Sequence, residues 1–170
     1  MTTSERWFPT LTAADLMSRS VVVIPQDMSL RTAAHLLWQV RISGAPVVDA
    51  EGRCVGVLSS TDFVHVVEQG AKAVRSCYSV PGVCSDWQVL ITEPLPEERV
   101  CAYMTPNPVT AAASASMGEL AQRMLEAHIH RVIVVDEQCR PIGVVSSTDI
   151  LSAVASSHGK AASVLAGNSQ

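Results

Sequence analysis

The sequence predicts an α+β protein made of two β-α-β-β-α units packed with pseudo-twofold symmetry, with an inserted segment between them. Three observations lead there. First, residues 17–67 recur at 104–154 at a constant offset of 87, without a gap, and 16 of the 51 aligned positions are identical. Met17 falls on Met104, Val47-Val48-Asp49 on Val134-Val135-Asp136, Gly56 on Gly143, and Ser59-Ser60-Thr61-Asp62 on Ser146-Ser147-Thr148-Asp149. Such a repeat fixes the architecture before any local reading. Second, each copy is small enough that a lone core is marginal, so the two copies are expected to share one. Third, the chain is 48% hydrophobic but only 4% aromatic. Its core must therefore be Val, Ile, Leu, Ala and Met, as in small α/β units with buried strands.

The elements follow in order. Thr12 is a plausible N-cap for a short turn through Met17. Val21 to Ile24 is a β-branched run ended by Pro25, hence a strand. Asp27 or Ser29 caps a helix over 29–41, in which Leu30, Ala33, Ala34, Leu37 and Val40 recur at helical spacing. After the turn at Ser43-Gly44, Ala45–Asp49 and Arg53–Leu58 read as a hairpin around Glu51-Gly52. Ser59-Ser60-Thr61-Asp62 then caps a helix to about Glu68. The second copy repeats this order: a strand at Val109-Thr110, a helix over Ser116–Ala127, strands over Arg131–Asp136 and Pro141–Val145, and a closing helix over Thr148–Ala155.

The domain reading is repeat 1 at 11–69, an inserted segment at 70–98, repeat 2 at 99–155 and a flexible tail at 156–170. The insertion holds Cys77, Cys84 and Trp87, and Trp87–Ile91 is apolar enough for an extra strand. The tail is Ser-, Ala- and Gly-rich and is expected to fray.

The net charge is −4, from 12 basic and 16 acidic residues spread evenly. No basic footprint for nucleic acid exists. No apolar run reaches the ~18 residues of a membrane span, and the N-terminal residues lack signal-peptide order. A cytoplasmic location is expected. Five cysteines without paired C-x₂-C spacing read as thiols rather than a metal site. The methionines read as gap-filling core.

The strings Pro46-Val47-Val48-Asp49…Gly56-Val57-Leu58-Ser59-Ser60-Thr61-Asp62 and His130-Arg131-Val132-Ile133-Val134-Val135-Asp136…Gly143-Val144-Val145-Ser146-Ser147-Thr148-Asp149 resemble the cystathionine-β-synthase (CBS) domain pattern. The lead-ins Asp15-Leu16-Met17 and Tyr103-Met104-Thr105-Pro106 resemble that family's start. The resemblance covers about residues 11–69 and 99–155. It implies a Bateman module: two units packed through their sheets, with two clefts for adenosine compounds, often dimerising, regulatory and not catalytic. The implied ligands are AMP, ADP or ATP, with S-adenosylmethionine and NADH as further candidates and no required cofactor. The implied partners are a second copy of the chain and an unidentified regulated protein.

The residues suit such ligands. A carboxylate at Asp62 or Asp149 can grip a ribose diol with its two oxygens. Ser59, Thr61, Ser146 and Thr148 offer hydroxyls beside free N–H groups at a helix start, where anions are favoured. By similarity to the family, each cleft mixes the two repeats. One is expected to combine Ser59, Thr61 and Asp62 with Val109, Thr110, Ile129, His130 and Arg131. The other combines Ser146, Thr148 and Asp149 with Val22, Ile42, Ser43, Gly44 and Pro46. The first then holds the Arg131 cation and prefers phosphorylated ligand; the second takes a less charged adenosine compound or none. Plainer readings stand beside these. The aspartates also suit helix caps, His130-Arg131 a solvated turn, and Val22 and Val109 the core. Gly56 and Gly143 read as serving hairpin geometry, where a side chain would obstruct close packing. A docking module with vestigial clefts, or an enzyme or redox sensor using the thiols of Cys77 and Cys84, are the competing functions.

Overall fold

The computed structural model describes residues 10–74 and 98–166, with side chains over 10–68 and 98–156. Most of the insertion, including Cys77, Cys84 and the expected strand at Trp87–Ile91, lies outside the described residues, as does Trp7. The chain forms two compact units. Of the described residues, one comprises 23–50, 55–74 and 98–107; the other comprises 10–22, 51–54 and 108–166. We call them the first-repeat unit and the second-repeat unit.

The elements are α1 (Ala13–Leu16), β1 (Ile24–Pro25), α2 (Leu30–Val40), β2 (Gly44–Val48), β3 (Cys54–Ser59), α3 (Ser60–Val74), a 3₁₀ turn (Val100–Ala102), β4 (Thr105–Pro106), β5 (Thr110–Ala112), α4 (Met117–Glu126), β6 (Arg131–Val135), β7 (Pro141–Ser146) and α5 (Ser147–Ala166). Both repeats therefore fold as β-α-β-β-α. In one sheet the order is β1-β2-β3-β4, with β1 parallel to β2 and β4 antiparallel to β3. In the other the order is β5-β6-β7, with β5 parallel to β6 and β7 antiparallel to β6.

Local chemistry sets the boundaries. Of the two residues suited to cap α2, Ser29 does so, accepting from the Thr32 N–H, and Ser116 caps α4 through the Glu119 N–H in the same way. Thr12 caps α1 in a reciprocal box with Asp15. Asp15 accepts from the Thr12 N–H at 2.9 Å and from its hydroxyl at 2.7 Å. These bonds hold its carboxyl below the usual carboxylate range. The first strand is shorter than the run Val21–Ile24 suggested, because only Ile24 and Pro25 align with Val47 and Val48. The closing helix runs to Ala166, through most of the segment expected to fray, in keeping with the helix propensity of its alanines.

Each unit has its own aliphatic core. In the second-repeat unit it is Ala13, Ala111, Ala115, Leu120, Met124, Val132, Val134 and Val145. In the first-repeat unit it is Ile24, Leu30, Ala33, Leu37, Ala45, Val47, Leu58 and Val100. Ile24, Leu30, Leu58 and Leu120 are 0% exposed. Burial of each such side chain stabilises by about 1.5–3 kcal/mol.

The repeats exchange their lead-ins. Residues 11–18, first in the chain, pack with the second repeat: Met117 N–H donates to Leu11 C=O, Ala13 N–H to Ala115 C=O and Ala14 N–H to Ala113 C=O, at 2.8–2.9 Å. Residues 98–106 pack with the first repeat through the equivalent bonds: Leu30 to Glu98, Val100 to Met28 and Cys101 to Gln26, at 2.9–3.0 Å. The two conserved-in-repeat glycines receive the two methionines. A Cβ on Gly143 would lie 2.8 Å from Cγ of Met17, and a Cβ on Gly56 would lie 2.5 Å from Sδ of Met104. These glycines are required by close approach, as the sequence reading held, and the methionines fill core space.

Candidate functional site

In both units the same local route builds the motif. Helices α2 and α4 end with a left-handed residue, Arg41 (φ 55°) and His128 (φ 53°). The next N–H folds back on the helix, Ile42 to Leu37 C=O at 3.1 Å and Ile129 to Met124 C=O at 3.0 Å, a Schellman-type end. That turn packs Ile42 and Ile129 against their cores. It also aims the following carbonyl at the start of the last helix. Ser43 C=O accepts from Ser60 N–H at 2.8 Å, and His130 C=O accepts from Ser147 N–H at 2.9 Å.

At the helix starts, each aspartate caps. Asp62 Oδ2 accepts from the Ser59 N–H at 2.7 Å and its hydroxyl at 2.8 Å. Asp149 Oδ2 accepts from the Ser146 N–H at 2.7 Å and its hydroxyl at 2.6 Å. The Asp149 N–H returns a bond to the Ser146 hydroxyl at 3.2 Å. Both carboxylates are half-buried, while Thr61 and Thr148 are exposed one residue earlier.

The two motifs then diverge. In the first-repeat unit, the Thr105 hydroxyl reaches Oδ1 of Asp62 at 3.2 Å, so both oxygens are engaged. In the second-repeat unit, no hydrogen bond from the described residues falls on Oδ1 of Asp149. Gly44 begins β2, and a Cβ there would meet the Leu58 carbonyl oxygen at 2.9 Å and Ser59 Cα at 3.1 Å. At the equivalent position Arg131 begins β6, opposite Ser146, with its side chain exposed. One motif thus has its neighbouring strand pressed against it; the other carries a guanidinium.

The structure groups the predicted residues by unit. Ile42, Ser43, Gly44 and buried Pro46 accompany Ser59, Thr61 and Asp62. Ile129, exposed His130 and Arg131 accompany Ser146, Thr148 and Asp149. Thr110 joins the latter through β5, opposite Ile133 of β6, and Val109 packs on that core. Val22 is half-buried at the edge of the same unit. The clefts expected from the sequence combine residues of the two units. Two contributors were missed from the sequence. Thr105 lies beside the recognised Met104, and only its contact with Asp62 marks it. Arg123 donates to the Thr110 carbonyl and pairs with Glu119 at 2.6 Å; its i,i+4 spacing to Glu119 was legible, its reach to β5 was not.

With this geometry in place, comparison with known proteins is decisive for the family. The CBS domain family matches residues 13–69 and 100–156, and the chain belongs to it. The chain is 27% identical to the human 5'-AMP-activated protein kinase subunit gamma-3 over 136 residues, 80% of this chain and 25% of that protein. It spans about a quarter of the length of the first curated relatives it matches. Among solved structures it resembles CBSX2 of Arabidopsis thaliana in complex with AMP, at TM-score 0.64 and 24% identity, covering 85% of this chain and 96% of that one. It also resembles the CBS domain pair of protein MJ0100 in complex with 5'-methylthioadenosine and S-adenosylmethionine, at TM-score 0.66 and 24% identity, covering 87% and 98%. These likenesses give the fold: a tandem CBS pair of mixed α+β architecture. No helix of the described residues is long and apolar enough to cross a membrane.

Proposed function

We propose that the chain is a regulatory, non-catalytic module that binds an adenosine compound at the Asp149 motif, with AMP, ADP or ATP as ligand. One observation carries this reading: the second-repeat unit joins an Asp149 oxygen with no partner among the described residues to the Arg131 strand end beside Ser146. The carboxylate oxygen accepts from a ribose hydroxyl. The exposed Thr148 hydroxyl and the start of α5 favour phosphate, and Arg131 adds a charge-assisted donor. Val109, Thr110 and Ile129 supply apolar surface for the base. The relatives named for AMP, and those solved with adenosine ligands, support the ligand class. The site residues are those expected from the sequence; the grouping is redrawn so that His130 and Arg131 serve Asp149. The Asp62 motif, with both oxygens engaged and Gly44 against Leu58, takes an uncharged adenosine compound or none. S-adenosylmethionine and NADH are the competing ligands for either motif.

A binding module of this kind acts by differential affinity between two states of itself or of a regulated protein. The second reading, a docking or dimerising module, has its own support. Trp38 and Leu125 occupy equivalent places on α2 and α4 and are 76% and 75% exposed; Val64 and Leu151 on α3 and α5 are 64% and 66% exposed. Apolar residues left out at matching positions favour a homodimer through the helices. Thermal denaturation with each ligand separates the two. A ligand of the folded state raises the melting temperature with saturation. No rise with AMP, ADP, ATP, S-adenosylmethionine or NADH leaves docking as the function.

A further inference from the structure

We propose that Cys54 and Cys139 form an intramolecular disulfide when the protein meets a peroxide. Both belong to the second-repeat unit, Cys54 through the segment Glu51–Cys54. The Cys54 N–H donates to the Cys139 carbonyl at 2.8 Å. Adding the N–Cα bond and the span from a carbonyl oxygen to its own Cα puts the two Cα atoms no more than about 6.7 Å apart. Disulfides bridge Cα separations of roughly 4.4–6.8 Å and fail beyond about 7 Å. Both side chains are thiols in this structure.

Access suits the chemistry as well. Cys139 is exposed in a turn with φ 60°, and Cys54 is half-buried. The pair is unique within the repeat: the positions equivalent to Cys54 and Cys139 are Pro141 and Gly52, which carry no sulfur. Cys101 lies in the other unit. One thiol attacks the peroxide O–O bond, becomes a sulfenic acid and releases water. The second thiol attacks that sulfur and expels its hydroxyl as water. Two thiols lose two electrons and two protons, and hydrogen peroxide becomes two waters. The bond ties the first residue of β3 to the turn between β6 and β7. This inference does not depend on the ligand reading.

The test uses the full chain treated with hydrogen peroxide, alkylated, and digested with trypsin without reductant. The expected product joins peptides 54–72 and 132–160, two hydrogens lighter than their sum, and dithiothreitol separates them. The link persists when Cys77, Cys84 and Cys101 are all serine, disappears in Cys139→Ser, and loses its selectivity when oxidation is done in guanidinium chloride. Peptide 54–72 or 132–160 recovered alkylated, over-oxidised or joined to another cysteine would overturn the proposal. So would a link found only between two chains, or one formed equally well in denaturant.

Discussion

Asp149 takes both the backbone N–H and the hydroxyl of Ser146 on one oxygen, Oδ2, at 2.7 and 2.6 Å. The cap uses one oxygen of the carboxylate, and the proposed ligand contact falls to the other. Asp149→Ala should lower stability by about 1 kcal/mol, the typical worth of a cap. Asp149→Asn, which keeps an acceptor, should recover most of that. Urea denaturation of the two variants measures it; equal losses would mean that the cap does not set the stability of α5.

The exchanged lead-ins give a packing prediction. Gly143→Ala places a methyl group against Met17, with Cβ and Cγ of Met17 at 2.9 and 2.8 Å. Overpacking of this kind costs about 1–3 kcal/mol. Shortening the neighbour in Gly143→Ala/Met17→Ala should make the two losses less than additive in chemical denaturation, because the residues touch. Strict additivity would place Met17 elsewhere.

This exchange also marks the limit of what the sequence discloses. A gapless repeat identifies Met17, Met104, Gly56 and Gly143 as partners of one kind. It cannot say which methionine meets which glycine, because both choices have the same residue types. Within the second-repeat unit, the backbone bond from Ser147 to His130 ties His130 to the helix start that carries Asp149. What depended on local chemistry was legible: the caps at Thr12 and Ser29, the aliphatic core and the strand pairs. The left-handed residues Arg41, His128 and Cys139 were not, since none is glycine and each is held by its helix end or turn. Thr105 on Asp62 and Arg123 on Thr110 arise only once distant elements meet.

Tyr103 offers a titration test. Its hydroxyl donates to the Glu98 carboxylate, and that bond, with smaller help from partial burial and the carboxylate's charge, raises the phenol above its ordinary 10.0. A raised folded value favours folding fully below pH 10 and loses that contribution as pH rises through the folded value. Absorbance at 295 nm follows the two tyrosines of the chain, Tyr78 and Tyr103. In Glu98→Gln the Tyr103 transition should move down toward 10; an unchanged titration would show that the bond does not form in solution.

Self-association through the helices makes a separate claim. Val64→Glu and Leu151→Glu each put a charge on a side chain that is now 64% or 66% exposed. Desolvating a charge in an interface is costly, so the double variant should sediment as a monomer while the parent sediments as a dimer. Its melting temperature should still respond to AMP. A parent that is monomeric at all concentrations removes the dimer from the account.

Calorimetric titration of AMP into Arg131→Ala, Asp149→Ala, Asp62→Ala and the Arg131 pairings with each aspartate tests the central grouping. Arg131→Ala and Asp149→Ala should each weaken binding by roughly ten- to a hundredfold, about 1.5–3 kcal/mol. Their double variant should lose less than the product of the two, and Asp62→Ala should leave affinity nearly unchanged. If Arg131 instead couples to Asp62, while Asp149→Ala binds AMP as tightly as the parent, the site is not at the Asp149 motif.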